Sequence, residues 1–342
     1  MNTAKNPDVE ALRRTPQHWL ITGVAGFIGA HLLEALLRQG QTVVGLDNFS
    51  TGQQRNLTRV RRAVGEENWR NFNLIEGDIR HPADCRAACA GVQTVLHQAA
   101  LVSVPLSIQN PDLTHAINTE GFKTLLDACC AADVRRLVYA SSSAVYGDTP
   151  TLPLHEDLPL RPLSPYAESK LANERAALAI AQSGGMATIG LRYFNVYGMG
   201  QDPNSAYTGV ITAWLKALTE EKAPIFYGDG SATRDFCHVD DVVAANLRAA
   251  ITKDTAALGL VYNIGTGEAT SLTTLYQTLK DVLTAVRPGL KFLTPDYQPP
   301  RAGDIQHSLA EIDKARRLLG YMPCVSLQDG LRRLVVEMES RR

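Results

Sequence analysis

Short apolar runs alternate with longer amphipathic stretches through the first half of the chain, the pattern of βαβ units on a parallel sheet. His18–Thr22 reads as the first strand and Phe27–Arg38 as the first helix. Further strands are expected at 41–46, 71–75, 93–97, 136–139 and 187–191. Residues 113–132 and 165–183 are long enough to cross the sheet as helices, and Ser164-Pro165 gives the second a cap and a first-position proline. Beyond Asn195 the pattern loosens. Helical stretches at 207–219, 240–251, 272–285 and 311–319 alternate with short strands at Ile225–Tyr227 and 261–264, and 295–303 is a proline-rich loop. The fold expected is α/β, a doubly wound parallel sheet with a smaller mixed α/β C-terminal part. Residues 1–17 read as an extension and 18–195 as the main domain. Residues 196–342 close over it, with strands and helices free to return to it.

Charge changes this picture little. The 34 Lys and Arg nearly balance the 35 Asp and Glu, and a net charge of −1 offers nothing to a nucleic acid. The six cysteines lack paired CxxC spacing and read as small apolar residues of a reduced protein, with no metal site. Residues 1–15 are polar, and no window approaches the ~20 apolar residues of a membrane span. A soluble, cytoplasmic protein is expected.

The chemistry sits in two places. Gly23-Val-Ala-Gly26-Phe-Ile-Gly29 follows the first strand and opens the first helix, so backbone can approach a pyrophosphate held at the helix N-terminus. Asp47 ends the second strand, where a carboxylate accepts hydrogen bonds from a ribose diol and repels a 2′-phosphate, favouring NAD over NADP. Far downstream, Tyr166 precedes Lys170 by one helical turn, so both side chains share a face. A lysine cation there lowers the phenol's pKa, and the tyrosine can act as acid and base near neutral pH. With Ser141-Ser142-Ser143 upstream, this is the equipment for hydride chemistry at an alcohol carbon.

The GxxGxxG spacing, the serine run and the YxxxK pair together resemble the extended short-chain dehydrogenase/reductase superfamily, with its Rossmann sheet. The resemblance implies NAD contacts from Gly23, Gly26, Phe27, Ile28 and Gly29, then from Asp47, Asn48 and Gly52. It adds Asp78 and Ile79 at the adenine, Gln98, Ala99 and Ala100 at a strand end, and Asn118, Tyr193 and Val196. His97 reads as structural. Tyr166 and Ser142 would meet the reacting hydroxyl, Ser143 would stand beside them, and Lys170 would bind the nicotinamide ribose. Sugar-nucleotide 4,6-dehydratases place an Asp-Glu pair where this chain has Ser143 and Ala144, and UDP-glucuronate decarboxylases keep a glutamate at the second position. What remains is oxidation and re-reduction at one carbon. NAD⁺ takes the C4 hydride, the 4-ketose turns over, and the hydride returns to the other face, so NAD stays bound.

Later motifs resemble UDP-sugar epimerases: Leu191-Arg192-Tyr193-Phe194-Asn195, then Gly228-Asp-Gly-Ser-Ala-Thr-Arg234-Asp-Phe, then Arg301-Ala-Gly-Asp304. They imply substrate contacts from Ser103, Ser142, Ser143, Tyr166, Asn195, Val210, Tyr227, Arg234, Arg301, Asp304 and Ser308, the two arginines clamping a diphosphate. Ser308 stands where epimerases limited to UDP-glucose and UDP-galactose carry a tyrosine, which leaves room for a 2-acetamido group. The resemblance is thus to bacterial UDP-N-acetylglucosamine 4-epimerases of surface-polysaccharide pathways. UDP-glucose or UDP-N-acetylglucosaminuronate 4-epimerases are the alternatives, and a non-catalytic NAD(H)-binding sensor is a more distant one. Two positions depart from the pattern: Leu106 replaces an arginine and Thr212 a proline. Such proteins form homodimers through a four-helix bundle. Here 113–132 and 165–183 would contribute, through Leu113, Ile117, Leu125, Leu171 and Leu178, faces that equally suit packing on the sheet.

Overall fold

The computed structural model describes residues 12–202, 209–300 and 305–340. Its centre is a seven-stranded, wholly parallel sheet. The strands are β1 (His18–Thr22), β2 (Thr42–Asp47), β3 (Phe72–Glu76), β4 (Thr94–His97), β5 (Arg136–Ser142), β6 (Ala187–Tyr193) and, at one edge, Leu260–Ile264. Their spatial order is Leu260–Ile264, β6, β5, β4, β1, β2, β3. The chain runs outward from β1 to β3, then restarts at β4 on the other side of β1. The order therefore reverses between β1 and β4, and their C-terminal ends border a crevice.

Parallel strands covered on both faces need apolar side chains in both directions, and β1 supplies them at Trp19, Leu20 and Ile21. Trp19 and Ile21 join Leu32, Leu36, Val60 and Val242, from the helices Phe27–Arg38, Gln54–Trp69 and Val239–Ile251. Leu20 joins Cys85, Cys89, Phe122, Leu125 and Cys129 on the opposite face, under Pro82–Cys89 and Gly121–Ala131. A third core around Trp214, Phe226, Leu275 and Leu331 belongs to the later half. That half also sends Val239–Ile251 and Leu260–Ile264 back to the central sheet. Among the described residues no helix is long and apolar enough to cross a membrane.

Four helices went unread in the sequence. Gln54–Trp69 is rich in Arg, Asn and Glu, and its inward stripe is only Leu57, Val60 and Val64. Leu327–Glu339 turns Leu331, Leu334 and Val335 inward and is capped by Ser326, which accepts from Asp329 N at 3.1 Å. Pro82–Cys89 and Val104–Gln109 are a few turns or less. The expected helix at 113–132 is three contiguous pieces, Pro111–Thr114, a π-helical turn at His115–Glu120, and Gly121–Ala131. Leu125 lies in the core, whereas Leu113 and Leu178 are exposed. The proline-rich loop contains a strand, Asp296–Gln298, parallel to Ile225–Tyr227, an edge position beside which prolines are tolerated. Arg301 and Asp304 lie outside the described residues, as do residues 203–208.

Candidate active site

Gly23 ends β1 with φ +68°, and a Cβ there would stand 2.8 Å from Ala99 N, just past β4. A Cβ at Gly29 would reach within 2.1 Å of the Gly23 carbonyl oxygen. The turn closes only because side chains are missing. Gly26 caps Phe27–Arg38 without a side-chain bond, and no acidic residue occupies the first turn, so the helix N-terminus is open to an anion.

Asp47 is fixed beside this turn. Its two carboxylate oxygens accept from Ala25 N and Phe49 N, each at 2.8 Å. Burial pushes its pKa up, and those two bonds oppose the shift. Asp78 accepts a fork from Arg80 (3.0 and 2.7 Å) and a bond from Asn48 Nδ2 at 2.8 Å, which hold its carboxyl well below the usual range. Its side chain is thus engaged before any adenine amine arrives.

These groups line one cavity of about 520 Å³, and so do all the expected cofactor contacts except Asn118 and Val196. Asn118 is buried in the π-helical turn and supports the cavity from behind. It accepts from Leu101 N (2.8 Å) and donates to Leu101 O (3.1 Å) and Ser169 Oγ (3.0 Å). Val196 pairs with Cys237 between two short strands. Glycine cradle, open helix end and anchored Asp47 together fit a dinucleotide.

Tyr166 and Lys170 open onto the same cavity from the helix Pro165–Gln182, which Ser164 caps by accepting from Ala167 N at 3.2 Å. Lys170 is buried, and its Nζ donates to Ala140 O at 2.9 Å, lying 5.9 Å from the Tyr166 ring centre. Burial lowers the lysine's pKa to about 8, while Glu174 pulls it up. Burial raises the Tyr166 pKa, and its hydrogen bond with Ser142 opposes the rise. The lowering expected from their spacing is thus not supplied by the protein's own groups, because the ammonium points at a carbonyl and desolvation of the phenol outweighs its bond with Ser142. Ser142 also caps the turn Ser143–Tyr146, accepting from Ala144 N at 3.2 Å.

Behind the tyrosine helix lies an ion pair that the sequence did not announce. Arg192 forks onto Glu174 at 2.8 and 2.7 Å, both nearly without exposure, and Ser141 Oγ donates to the same carboxylate at 2.5 Å. Arg192 also donates to Tyr146 OH at 2.9 Å, which donates to Asn263 at 2.7 Å.

The expected substrate residues are more scattered. Ser103 caps Val104–Gln109, accepting from Leu106 N at 3.0 Å. Asn195 pairs with Phe236, Tyr227 with Gln298, and Val210 begins a helix. Arg234 donates to the carbonyls of Thr233 and Gln306, and Ser308 is buried alongside, its N–H bonded to Thr233 O at 3.1 Å. Asp235, buried in the same motif, ties Thr266, Gly267 and Ala310 together. Of the two departures, Leu106 lines the cavity with Val102, Leu113 and Ile117. Thr212 donates to Gln201, another lining residue, at 3.0 Å, a bond proline lacks.

His97 is structural, as read: buried, its Nδ1 2.7 Å from Thr22 Oγ1 and its ring against Phe122. Burial, then Lys170, lower its pKa from 6.5 to about 3. The folded protein then binds fewer protons than the unfolded chain between those values, so this stabilisation is complete above pH 6.5 and is lost as pH falls. His97→Gln should remove up to about 1.4 kcal/mol of that loss per pH unit. In urea unfolding the stability gap between parent and variant narrows as pH drops below 6.5; a constant gap would refute the assignment.

Comparison with known proteins agrees with this geometry. The UDP-glucose 4-epimerase of Mycolicibacterium smegmatis is 36% identical over 319 residues, covering 92% of this chain and 96% of that protein. The solved UDP-N-acetylglucosamine 4-epimerase from Methanobrevibacter ruminantium, in complex with UDP-N-acetylmuramic acid, superimposes with a TM-score of 0.87 at 32% identity, covering 96% and 99% of the two chains. The UDP-glucuronic acid 4-epimerase of Bacillus cereus, in complex with UDP-glucuronic acid and NAD, gives 0.84 at 31%, covering 95% and 100%. Residues 19–265 match the NAD dependent epimerase/dehydratase family; with the glycine cradle, Asp47 and the tyrosine–lysine pair in one crevice, the chain belongs to that family and its cofactor is NAD.

Proposed function

We propose that this chain is a UDP-N-acetylhexosamine 4-epimerase, interconverting UDP-N-acetylglucosamine and UDP-N-acetylgalactosamine through a 4-keto sugar. The coarser statement, a UDP-sugar 4-epimerase working with NAD, rests on the family and the relatives. The observation that carries the chemistry is Tyr166 with Lys170 on the wall of the cofactor cavity, Tyr166 hydrogen-bonded to Ser142, with Ser143 and Ala144 where an elimination would need carboxylates.

NAD, when bound, accepts the C4 hydride and returns it. Tyr166 takes the O4 proton on oxidation and gives it back on reduction, and Ser142 holds the reacting oxygen. Lys170 spends one donor on Ala140 O and keeps two for ribose hydroxyls. Drawn towards the ribose, its cation lowers the phenol's pKa against the burial that raises it.

The cavity wall supports a neutral sugar. Val102, Leu106, Leu113 and Ile117 are apolar, and among the described lining residues Lys170 is the only cation. Among the described lining residues a uronate carboxylate would meet no arginine, whereas an acetamido methyl fits such a wall. The small Ser308 beside Arg234 supports the same substituent. UDP-glucose is the second reading, favoured by the relative at 36% identity.

The test is incubation with UDP-N-acetylglucosamine alone, without reductant, followed by NMR of the nucleotide sugars. UDP-N-acetylgalactosamine at a stable equilibrium is expected. Turnover of UDP-glucose or UDP-N-acetylglucosaminuronate in its place would keep the mechanism and overturn the substrate; no conversion of any of the three would overturn both.

A further inference from the structure

Two side-chain amides and one phenol form a closed ring at the edge of the cofactor cavity. Gln98 Nε2 donates to Asn246 Oδ1 at 3.1 Å, Asn246 Nδ2 donates to Tyr193 OH at 2.8 Å, and Tyr193 OH donates to Gln98 Oε1 at 3.3 Å. Gln98 and Tyr193 line the cavity, one just past β4 and the other at the end of β6, with β5 between those strands. Asn246 does not. It is fully buried on the helix Val239–Ile251, from the part of the chain beyond the first domain's motifs.

The ring has a direction, and one backbone atom sets it. Asn246 Nδ2 also donates to Val242 O at 2.8 Å, and a carbonyl can only accept. The amide of Asn246 therefore cannot flip, and its oxygen must face Gln98. Gln98 must then offer Nε2 to Asn246 and turn its own oxygen to the Tyr193 hydroxyl, which commits the phenol's proton. One N–H of Gln98 is left over, on a half-buried residue at the cavity wall next to Ala99 and the glycine turn. The cavity meets a donor at this point, and the matching ligand atom is an acceptor, a ribose or phosphate oxygen of the dinucleotide.

We infer that Asn246 is a positioning residue for NAD, which acts through Gln98 and Tyr193 by holding a donor towards the cofactor. The inference rests on NAD as the cofactor and is independent of which sugar is turned over. Asn246→Asp is nearly isosteric but can only accept. The carboxylate still accepts from Gln98 Nε2, but the Tyr193 proton turns to it, so Gln98 Oε1 loses its partner and the amide is held towards the cofactor by one bond in place of two.

The experiment follows exchange of bound NAD for isotope-labelled NAD in the purified holoprotein, with no sugar present. Asn246→Asp should speed exchange about tenfold, the worth of one hydrogen bond. Gln98→Leu should do the same, and the double variant should exchange no faster than Gln98→Leu alone, because both act through one N–H. Epimerisation by Asn246→Asp should become dependent on added NAD, the loss falling on the apparent constant for NAD. Exchange at the parent rate in folded Asn246→Asp, or effects that multiply in the double variant, would overturn the inference. If Asn246→Asp does not fold, Tyr193→Phe removes only the hydroxyl that orients Gln98. It should speed exchange, without multiplying the effect of Gln98→Leu, and exchange at the parent rate there overturns the inference equally.

Discussion

Tyr166→Phe should cost UDP-sugar epimerisation a factor of about 10²–10⁴ in kcat, the usual contribution of one acid–base group. The reason is local. Phenylalanine keeps the ring, so the helix Pro165–Gln182 and its Ser164 cap are undisturbed. What goes is the hydroxyl that Ser142 bonds, and with it the group able to take a proton from the sugar oxygen. Ser142 cannot substitute, since an unassisted aliphatic hydroxyl is a poor base near neutral pH. The measurement is initial rate by NMR or anion exchange, with bound NAD quantified in the same sample. Retained NAD with lost turnover is expected. A variant that turns over within threefold of the parent, roughly half a kcal/mol in barrier, would remove Tyr166 from the chemistry.

Arg192→Leu should be the most destabilising single change, about 3–5 kcal/mol, because it strands a buried carboxylate. Glu174 is almost without exposure and otherwise keeps only the Ser141 hydroxyl. The pair also joins three elements: Ser141 lies in β5, Arg192 lies in β6, and Glu174 is one turn past Lys170 on the helix Pro165–Gln182. Loss of the guanidinium therefore loosens the helix that carries both Tyr166 and Lys170. Urea unfolding should show the shift in midpoint. Glu174→Leu combined with Arg192→Leu should recover a large part of it, since the cost of an unpaired charge exceeds that of no charge. A single variant as stable as the parent, or a double variant worse than the sum of both, would overturn this account.

The serine run, the tyrosine–lysine pair and the glycine turn are all legible because each is a local pattern. A turn that needs missing side chains shows as glycines at fixed spacing, and two groups on one helix face show as residues four apart. The strands of the sheet were legible for a similar reason: buried on both faces, they stand out as apolar runs. Gln54–Trp69 was not, because only three of its four buried positions are apolar and its other faces are charged.

Sheet, family and cofactor could be read from the chain, since all three reside in short-range spacing and residue type. The fold in three dimensions set what surrounds them. The Glu174–Arg192 pair unites residues 18 apart and the Gln98–Asn246 bond residues 148 apart, and nothing local marks either. It also decided the direction of the pKa shifts. Lys170 and Tyr166 are neighbours on the helix, but the ammonium is turned to Ala140 O and the phenol is partly desolvated, so desolvation outweighs the attraction that their spacing alone suggested. Charge and hydrogen bonding act over a few ångströms in space, and the fold alone sets which residues come that close.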